Sequence, residues 1–370
     1  MKKVSSIKKI AINTGGGDAP GLNAVIKAVT ISALNRGWEV VGIREGYNGL
    51  FLPEKFPDGG LINLTYETVK DITPLGGTIL GTTNRGNPLR FPMKSANGTI
   101  VEVDRSDEIM AGFRRNKIDA LIAIGGDGSL SMANVFQKKG LPVIGVPKTI
   151  DNDLEKTVMT FGFDTAVGFA TESIDRLHST AQSHSRIMVV EMMGRYAGWI
   201  SLNSGISGSA DVILIPEIPY DVNVVADFLN KKFEGGKNYA IVVVAEGAKS
   251  KEGSTSVIEK EAGKSERLGG AAEKFAKDLQ PLVDKEIRSV ILGHLLRGGS
   301  PTTFDRLVSL RFGAAAIRAL EEGHSGIMVA LNPPTVDYVP LDQVSNRMKF
   351  VPIDCDTMKT GRDLGICFGD

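Results

Sequence analysis

The sequence predicts an α/β fold in which the sheets are mostly parallel. Three observations support this prediction. Short apolar runs rich in Val and Ile recur along the chain, segments of helical periodicity separate several of them, and glycine or charged residues follow many of them. Continuously apolar strands are typical of sheets that are covered on both faces. Strands that alternate with helices form layered α/β structures.

The individual elements follow from these patterns. Nine apolar runs have the length of a β-strand, and in chain order they read KKIAINT, EVVGIRE, DALIAIGG, LPVIGVPK, RIMVVEMM, DVILIPE, YAIVVVAEG, RSVILGH and SGIMVAL. Apolar residues with helical spacing predict helices in residues 21–37, 164–183 and 302–323. Residues 248–279 are charged and contain Gly and Ser, so we expect a surface insertion with a helix near its end.

The composition is that of a globular protein with a large core, since 42% of the 370 residues are hydrophobic and 23% are charged. The formal net charge is zero, so neither a nucleic acid nor a membrane is an expected partner. Cys355 and Cys367 do not make a disulfide framework, and a cytoplasmic location is expected. The sequence shows no signal peptide, and no apolar run approaches the ~20 residues that span a bilayer.

Glycine and charged residues collect after six of the predicted strands, where ligands of open α/β sheets bind. The six stretches are NTGGGDAPG, IGGDGS, GVPKTIDND, EMMGRYAG, AEG and LGHLLRGGSP. In the first, Gly15–Gly17 lie between a strand and a helix, where backbone amides and a helix N-terminus favour phosphate. A tight turn is the alternative for a glycine triplet alone. The stretch matches neither the GxxxxGK[ST] nor the GxGxxG motif.

The second stretch, IGGDGS, combines backbone access with a carboxylate. Gly125 and Gly126 allow the backbone to approach a polyphosphate, and Asp127 is a candidate ligand of Mg²⁺, which takes one or two carboxylates plus phosphate oxygens. Ser129 is expected to cap the following helix. The alternative is that Asp127 or Ser129 is merely a helix cap. Because a Gly pair, an acid and a further Gly stand together, we favour a metal and phosphate site.

The third stretch, PKTIDND, contains the residues expected to act on a second substrate. Asp151 is a candidate acceptor of a proton from an attacking hydroxyl, and Thr149 is a candidate donor to the moving phosphoryl group. Asp153 is expected to assist the metal or to order the loop. Phosphoryl transfer requires mainly positioning, a base and charge neutralisation. In isolation, Asp-Asn-Asp would be interpreted as a plain turn.

Taken together, these motifs resemble the 6-phosphofructokinase family, which includes ATP-dependent and pyrophosphate-dependent enzymes. The resemblance covers most of the chain in order, through GGDAPGLN, GGDGS, PKTIDND, GFDTA, SHSRIMVVEMMGRYAG, AEG and LGHLLRGGSPTTFDR. GGDG also occurs in lipid and NAD kinases, but a protein of that kind would leave the later motifs unexplained. The resemblance implies phosphoryl transfer from Mg-ATP to the 1-hydroxyl of fructose 6-phosphate.

The resemblance also implies a domain organisation, namely two three-layer α/β domains with the active site in the cleft between them. Residues 1–162 plus 296–345 would bind the phosphoryl donor. Residues 163–295 plus 346–370 would bind fructose 6-phosphate and carry the insertion. A homodimer or homotetramer with shared active sites is implied as well.

Roles for individual residues follow from the same resemblance. Asp151 would be the catalytic base and Asp127 the Mg²⁺ ligand. The other residues of the transfer step would be Thr149, Arg195 and Gly17. The donor would contact Gly16, Gly17, Arg85, Gly126, Asp127, Gly128, Ser129 and Lys148. The sugar phosphate would contact Thr149, Asp151, Asp153, Arg186, Met193, Gly194, Arg195, Glu246, Arg288, His294 and Arg297.

Arg186, Arg288 and His294 differ from the other predicted residues in where they would act or in how they can be interpreted. Arg186 and Arg288 would reach into the site from a neighbouring subunit, and for this reason an oligomer is expected. His294 has an alternative interpretation as a hydrogen-bonded histidine at a strand end, and its neighbour Arg297 favours the binding role. Several arginines are appropriate because their forked guanidinium groups match the oxygens of a tetrahedral dianion.

The donor determinants are mixed. Bacterial ATP enzymes usually have a glycine before TIDND, whereas pyrophosphate enzymes have a lysine there and an aspartate at the place of Gly128. This chain combines Gly128 with Lys148. An aspartate would crowd and repel an α-phosphate, and glycine leaves room for it. We therefore predict ATP as the donor, with pyrophosphate as the alternative and a non-catalytic sugar-phosphate-binding protein as a distant one.

Two further departures from the family pattern concern the donor loop and the effector site. The loop LGTTNRGNPLRF is one residue longer than the family's, and Arg85, rather than Asn84, is the candidate for its donor-bridging arginine. The effector site of bacterial enzymes uses several arginines to bind nucleotide diphosphate or phosphoenolpyruvate. The corresponding positions here are Lys27, Ile31, His178 and Lys237. We predict weak or absent regulation of that type.

Overall fold

Strands and helices alternate along most of the chain. A computed structural model describes residues 7–83, 87–95, 98–253, 257–259 and 267–370. The strands are β1 Lys9–Thr14, β2 Glu39–Ile43, β3 Leu61–Asn63, β4 Phe91–Lys94, β5 Ile100–Val103, β6 Ala120–Gly125, β7 Val143–Pro147, β8 Ile187–Met192, β9 Val212–Leu214, β10 Ala240–Ala245, β11 Val257–Glu259, β12 Arg267–Leu268, β13 Ile287–Ile291, β14 Ile327–Asn332 and β15 Thr335–Pro340. The helices are α1 Leu22–Leu34, α2 Asn48–Phe51, α3 Tyr66–Val69, α4 Ser106–Arg115, α5 Asp127–Lys138, α6 Phe163–His184, α7 Trp199–Ser207, α8 Val222–Glu234, α9 Ala271–Leu279, α10 Thr303–Glu321 and α11 Asp356–Asp363.

The larger sheet has seven strands in the order β15-β14-β7-β6-β1-β2-β3. Its five central strands are parallel, and β3 and β15 add antiparallel edges. Helices α1 and α10 cover one face, where they pack against Ile10 and Ile12 of β1. Helices α4 and α5 cover the other face together with Ala11. The strand order reverses beside β1, since β2 lies on one side of it and β6 on the other.

The smaller sheet has four parallel strands in the order β13-β8-β10-β9. Helices α6 and α7 pack on one face with Val190 and Val243. Helices α8 and α9 pack on the other with Val189 and Val242. Each sheet is therefore the middle of three layers, which explains why its strands are apolar at successive positions. The predicted α/β class and parallel sheets are confirmed.

All nine predicted strands and all three predicted helices are present. The strands that the apolar runs did not predict are short or partly exposed: β3, the hairpin of β4 and β5, the pair β11 and β12, and the edge strand β15. Strand β15 forms one edge of the larger sheet, and its residues are exposed or half-buried. Short or half-covered strands lack the continuous apolar run that identified the others.

The tract at residues 248–279 is more than a surface insertion. It ends in α9, whose Phe275 and Leu279 are fully buried against the four-stranded sheet. Only four of the nine residues of α9 are buried, so its helical face was hidden among charged neighbours in the sequence. This helix is an integral layer of the fold. Among the described residues, no helix is both long and apolar enough to cross a membrane.

Helices α1 and α10 approach so closely that only glycine fits at position 313. A Cβ atom on Gly313 would lie 2.7 Å from the Cβ atom of Ala28 and 2.8 Å from the carbonyl oxygen of Val25. Contacts this short require the two helices to separate. Gly168 of α6 is also inside a helix, but a Cβ atom there would meet open space.

We expect Gly313→Ala to destabilise the protein by about 1–3 kcal/mol, because added volume in a packed interface strains both helices. Gly168→Ala is the matched control and should be neutral or stabilising by up to about 1 kcal/mol, because alanine favours helix over glycine. Thermal unfolding at one protein concentration measures both. Equal melting temperatures for the two variants would contradict the predicted close packing.

Candidate active site

The first part of the site is the glycine loop between β1 and α1, at the point where the strand order reverses. The backbone N–H of Gly15 donates to the carbonyl of Ile124 at 2.9 Å, so this loop lies beside the end of β6. A Cβ atom on Gly15 would lie 2.5 Å from Oγ of Ser129, and Gly16 has a φ of +78°. Glycine is therefore required at both positions. The two phosphate-type loops predicted from the sequence are in contact.

The second loop leads into α5 without a side-chain cap. Helix α5 begins at Asp127, Gly126 is its N-cap residue, and no side chain accepts a hydrogen bond there. The prediction that Ser129 caps this helix was wrong. Ser129 lies inside the first turn, is 8% exposed, and packs against the backbone of Gly15 and Gly125. The serine thus fixes the spacing of the two glycine loops, and the helix N-terminus is left open to a ligand.

Asp127 and Gly128 lie at the open end of this helix. Oδ1 of Asp127 accepts a hydrogen bond of 2.7 Å from the backbone N–H of Asn346. Partial burial and the charge of Asp153 raise the pKa of Asp127 above its usual value. A Cβ atom on Gly128 would have no heavy atom of the described residues within 4 Å, so this glycine borders open space. Among the described residues, no three His, Cys, Asp or Glu side chains form a cluster suited to a metal.

Lys148 lies beneath the first glycine loop. Only 4% of it is exposed, and its Nζ donates to the carbonyl oxygen of Gly17. Burial and the nearby Arg297 lower the pKa of Lys148 to about 8, against the opposing effect of Asp151 and Asp18. A buried ammonium group that donates to one carbonyl among the described residues is well suited to receive an anion.

Asp151 lies at the centre of the site. It is 4% exposed, and its Oδ1 atom is buried and has no hydrogen-bond partner among the residues that the structure describes. Its own backbone N–H donates to Oγ1 of Thr149 at 3.0 Å. Burial and the charge of Asp153 raise the pKa of Asp151 to about 7, although Arg297 opposes this shift. A half-neutral carboxyl near physiological pH is suited to accept a proton.

The smaller sheet contributes the turn after β8. Gly194 has a φ of +145° and Arg195 a φ of +51°. Oε1 of Glu246 accepts hydrogen bonds from the backbone N–H groups of both, at 3.3 and 2.9 Å. Burial raises the pKa of Glu246. The turn is therefore held by a carboxylate that follows β10, and Met193 directly precedes the two residues that it binds.

Arg297 joins the two halves of the site. It ends the 3₁₀ turn Gly293–Arg297 that follows β13, and its Nη1 donates to the carbonyl of Asp18 at 3.1 Å. A Cβ atom on Gly17 would lie 2.9 Å from the same Nη1 atom. Arg297 therefore spans from the smaller sheet to the glycine loop of the larger one. His294 lies on the same turn and is exposed.

Two of the predicted substrate residues are remote from this cleft within one chain. Arg186 precedes the six residues of β8, and the turn that holds Arg195 follows them, so roughly 20 Å separates the two arginines at about 3.3 Å per residue. Arg288 lies on β13, beside the start of β8 that Arg186 precedes, and both arginines pair with Glu286, Arg186 at 2.5 Å. They cannot reach their own chain's cleft.

The donor-loop arginine lies outside the described residues. Arg85 is among residues 84–86, whereas the segment just before it is described. Oγ1 of Thr82 donates to the carbonyl of Gly16 at 2.5 Å, and the N–H of Gly16 donates to the carbonyl of Thr83 at 3.2 Å. The loop that leads to Arg85 therefore packs against the first glycine loop.

The residues at the effector positions are engaged within the protein. Nζ of Lys27 donates to the carbonyl of Lys70, and Nζ of Lys237 donates to buried Asp211 at 2.5 Å. The ring of His178 contacts the carbonyl of Gly208 at 2.7 Å and the hydroxyl of Tyr239 at 3.3 Å. Ile31 packs against the core of the larger sheet.

Sequence reasoning missed three contributors to the site. Asn346 and Lys349 come from the C-terminal segment SNRMKF, and Asp18 supplies the carbonyl bound by Arg297. No motif marks the C-terminal pair, because each acts through contacts with residues about two hundred positions earlier. Asp18 belongs to the stretch NTGGGDAPG, but only the glycines of that stretch were predicted to bind phosphate.

Comparison with known proteins agrees with this geometry. The profile of the family described as "Phosphofructokinase" matches residues 9–320. The chain belongs to the phosphofructokinase family. It is 48% identical to ATP-dependent 6-phosphofructokinase 2 of Clostridium perfringens over 98% of this chain and 99% of that protein. It is also 45% identical to pyrophosphate–fructose 6-phosphate 1-phosphotransferase of Amycolatopsis mediterranei, over 94% of this chain and 97% of that protein.

A solved structure of the family has the same fold. The crystal structure of Pichia pastoris phosphofructokinase superposes with a TM-score of 0.77 at 32% identity. The match covers 92% of this chain and 36% of the Pichia chain, so this chain spans about a third of that longer protein. The two-sheet architecture is thus common to both.

The buried Asp151 carboxyl predicts a specific pH dependence of stability. Its pKa of about 7 in the fold exceeds the ordinary 3.8, so the folded state binds the proton more tightly than the unfolded state. Stability is therefore lost as pH rises from about 4 to 7 and is constant above that range. In Asp151→Asn this loss should be absent, which makes the variant more stable than the parent at pH 8 by on the order of 4 kcal/mol.

Thermal unfolding of both proteins between pH 5 and 8 measures this difference. The gap between the two melting temperatures should widen as pH rises and should level off above pH 7. A gap that does not change with pH would mean that Asp151 titrates at its ordinary value and is not desolvated.

Proposed function

We propose that this protein transfers the γ-phosphoryl group of Mg-ATP to the 1-hydroxyl of fructose 6-phosphate, which yields fructose 1,6-bisphosphate and ADP. The observation that carries the proposal is the buried Oδ1 atom of Asp151, which no group in the described part of the chain binds. It lies in a cleft of a phosphofructokinase-family chain, and the charges of Arg195 and Arg297 act on it. A non-catalytic binding protein has no use for such a costly carboxylate.

The proposed transfer step assigns one task to each central residue. Asp151 accepts the proton of the attacking 1-hydroxyl, because its pKa of about 7 allows it to do so near neutral pH. Thr149 and the backbone of Gly17 bind the moving phosphoryl group. Arg195 neutralises the charge that develops on it. Positioning and charge stabilisation of this kind supply most of the rate in phosphoryl transfer.

Magnesium is the proposed cofactor, and the described residues fit it. The site offers the carboxylate of Asp127, with that of Asp153 close enough to raise its pKa, and no third acidic or histidine ligand. Such a sparse set suits an ion that keeps its waters and takes its remaining ligands from phosphate oxygens. Asp127 would hold the ion, and Asp153 would assist. The ion would supply charge neutralisation on the donor phosphates.

ATP is favoured over pyrophosphate because of the space around Gly128. The open space beyond its Cα leaves room for an α-phosphate and the nucleoside, and the α5 N-terminus faces the same place. The proposed donor contacts are Gly16, Gly17, Arg85, Gly126, Asp127, Gly128, Ser129 and Lys148. Lys148 serves either donor, because its ammonium group binds a phosphate irrespective of what lies beyond it.

The sugar phosphate would bind between the turns that follow the strands of the smaller sheet. His294 and Arg297 would bind the 6-phosphate, Glu246 the sugar hydroxyls, and Met193 with Gly194 the sugar face. Arg186 and Arg288 would bind the phosphate from a neighbouring subunit, since they lie far from their own cleft. The protein is therefore proposed to be a homodimer or homotetramer with shared active sites.

The proposed domains follow from the two sheets. Residues 1–162 with 296–345 would form the donor domain, and residues 163–295 with 346–370 the sugar domain. The strands of each sheet fall within these limits. A cytoplasmic location is proposed on the chemistry of the reaction, and the free thiols of Cys355 and Cys367 agree with a reducing compartment.

The test of the proposal is an assay of fructose 1,6-bisphosphate formation from fructose 6-phosphate and Mg²⁺, with ATP and pyrophosphate offered separately. Asp151→Asn should lower kcat by about 10²–10⁴-fold, the usual contribution of a positioned base, while fructose 6-phosphate still binds. If Asp151→Asn kept the parental kcat, Asp151 would not be the base. If the parent used neither donor, the function itself would be refuted.

The donor preference should respond to Gly128. We expect Gly128→Asp to lower kcat/KM for ATP and to favour pyrophosphate, because the new carboxylate repels an α-phosphate that pyrophosphate lacks. Gly128→Ala is the matched control, since its methyl group also enters open space but carries no charge. The ratio of kcat/KM values for the two donors measures the effect. Identical ratios in the parent and Gly128→Asp would show that Gly128 does not select the donor.

Regulation by phosphorylated effectors should be weak or absent. The cations at the effector positions donate to protein carbonyls or to Asp211, and the aliphatic Ile31 cannot bind phosphate. Saturation by fructose 6-phosphate should therefore be hyperbolic, and millimolar ADP or phosphoenolpyruvate should leave its midpoint unchanged. A sigmoidal curve that ADP converts to a hyperbola would contradict this expectation.

A further inference from the structure

The C-terminal segment Asn346–Val351 crosses both parts of the active site. At its start, the backbone N–H of Asn346 donates to Oδ1 of Asp127 at 2.7 Å. In its middle, Met348 forms an antiparallel bridge with Leu154, and the N–H of Lys349 donates to the carbonyl of Asp153 at 2.8 Å. One short segment thus contacts the candidate metal ligand and the loop that bears the candidate base.

The side chain of Lys349 is bound at three points along that loop. Its Nζ donates to Oδ1 of Asn152 at 2.9 Å, to the carbonyl of Thr157 at 3.0 Å and to the carbonyl of Val158 at 3.1 Å. An ammonium group has three donors, and these contacts use all of them. Lys349 therefore has no donor left for a substrate, and its contribution must pass through the loop.

Asn152 is the residue through which this contribution passes. It lies between Asp151 and Asp153 and has a φ of +51°, a left-handed conformation that is uncommon for residues other than glycine. Its Oδ1 atom also accepts a hydrogen bond of 3.2 Å from the backbone N–H of Thr160. Two donors therefore fix its side chain. Because Asn152 and Asp151 are adjacent, this anchor fixes the direction of the candidate base.

The far end of the segment is tied to the sugar side of the cleft. The carbonyl of Lys349 accepts a hydrogen bond of 2.9 Å from Nε1 of Trp199, the first residue of α7. The N–H of Val351 donates to Oε1 of Glu217 at 2.9 Å, and the same carboxylate accepts from the N–H of Gly198. Lys349 thus relates the loop of Asp151 to the turn that leads from Arg195 into α7.

We propose that Lys349 is a positioning residue that holds Asp151 in its reactive orientation through Asn152. The proposal rests on the proposed function, in which Asp151 is the base. A loss of alignment affects the transfer step more than substrate binding, and misplacement by about 1 Å can cost on the order of 10²-fold in rate. A merely structural lysine would instead affect folding, with kcat reduced only by the unfolded fraction.

The experiment compares Lys349→Met and Lys349→Arg with Lys359→Met, which removes an exposed lysine of α11 in the same C-terminal region. We expect Lys349→Met to lower kcat by about 10–100-fold, with KM for fructose 6-phosphate changed less than about threefold. Lys349→Arg should retain an intermediate kcat, because a planar guanidinium group keeps some of the three bonds. Lys359→Met should behave as the parent.

A double-mutant cycle with Asn152→Gly tests the route, because glycine keeps the left-handed backbone and removes the acceptor. If Lys349 acts through Asn152, Lys349→Met should lower kcat much less in the Asn152→Gly background than in the parent. Parental kcat in Lys349→Met would overturn the proposal. Full additivity in the cycle, or a kcat loss that only mirrors the folded fraction in thermal melting, would overturn it as well.

Hydrogen exchange of the loop 149–158 separates this inference from the proposed function. In Lys349→Met the amides of that loop should exchange faster, whichever reaction the protein catalyses. If the parent had no activity towards fructose 6-phosphate but the loop of Lys349→Met still exchanged faster, the proposed function would be refuted. The role of Lys349 in fixing the loop would stand. Unchanged exchange in the loop would refute the anchor, even in an active phosphofructokinase.

Discussion

The structure depends on one unfavourable constraint, the burial of an ionisable carboxyl group at the meeting point of two sheets. Asp151 follows β7 of the larger sheet, and the arginines whose charges oppose its raised pKa, Arg297 and Arg195, belong to turns of the smaller sheet. Neither sheet alone compensates this charge. The carboxyl thus remains poised between its two protonation states only while the two halves stay close together.

The same constraint accounts for the close packing of glycine around Asp151. Arg297 approaches the glycine loop so closely that a side chain at Gly17 would meet its guanidinium group, and Ser129 excludes a side chain at Gly15. Backbone amides replace side chains on this wall of the cleft, and Lys148 lies beneath them as a desolvated cation. A polyanion in the cleft would therefore interact with oriented backbone N–H groups and with the ammonium group of Lys148, whose charge is only partly compensated.

The sequence predicted what is local and repetitive. Strands covered on both faces are continuously apolar, so eight of the nine predicted strands were recognisable by this signal, and the residues at the carboxyl ends of six strands were recognisable as ligand loops. The ninth strand, β13, is partly exposed and was recognised from the run RSVILGH. It did not predict contacts across the chain, such as the bond from Asn346 to Asp127, because nothing in SNRMKF marks a partner about two hundred residues away. The buried face of α9 and the packing of Ser129 escaped for the same reason.

The mixed donor determinants are physically consistent with one another. Lys148 is buried, its pKa is lowered, and its Nζ donates to the carbonyl of Gly17. A phosphate bound at the loop would therefore stabilise the charged form of this lysine. Gly128 contributes only room, because nothing lies within 4 Å of a Cβ atom there. The proposed phosphate contact of Lys148 is therefore compatible with a proposed selection of the donor by size and charge at Gly128.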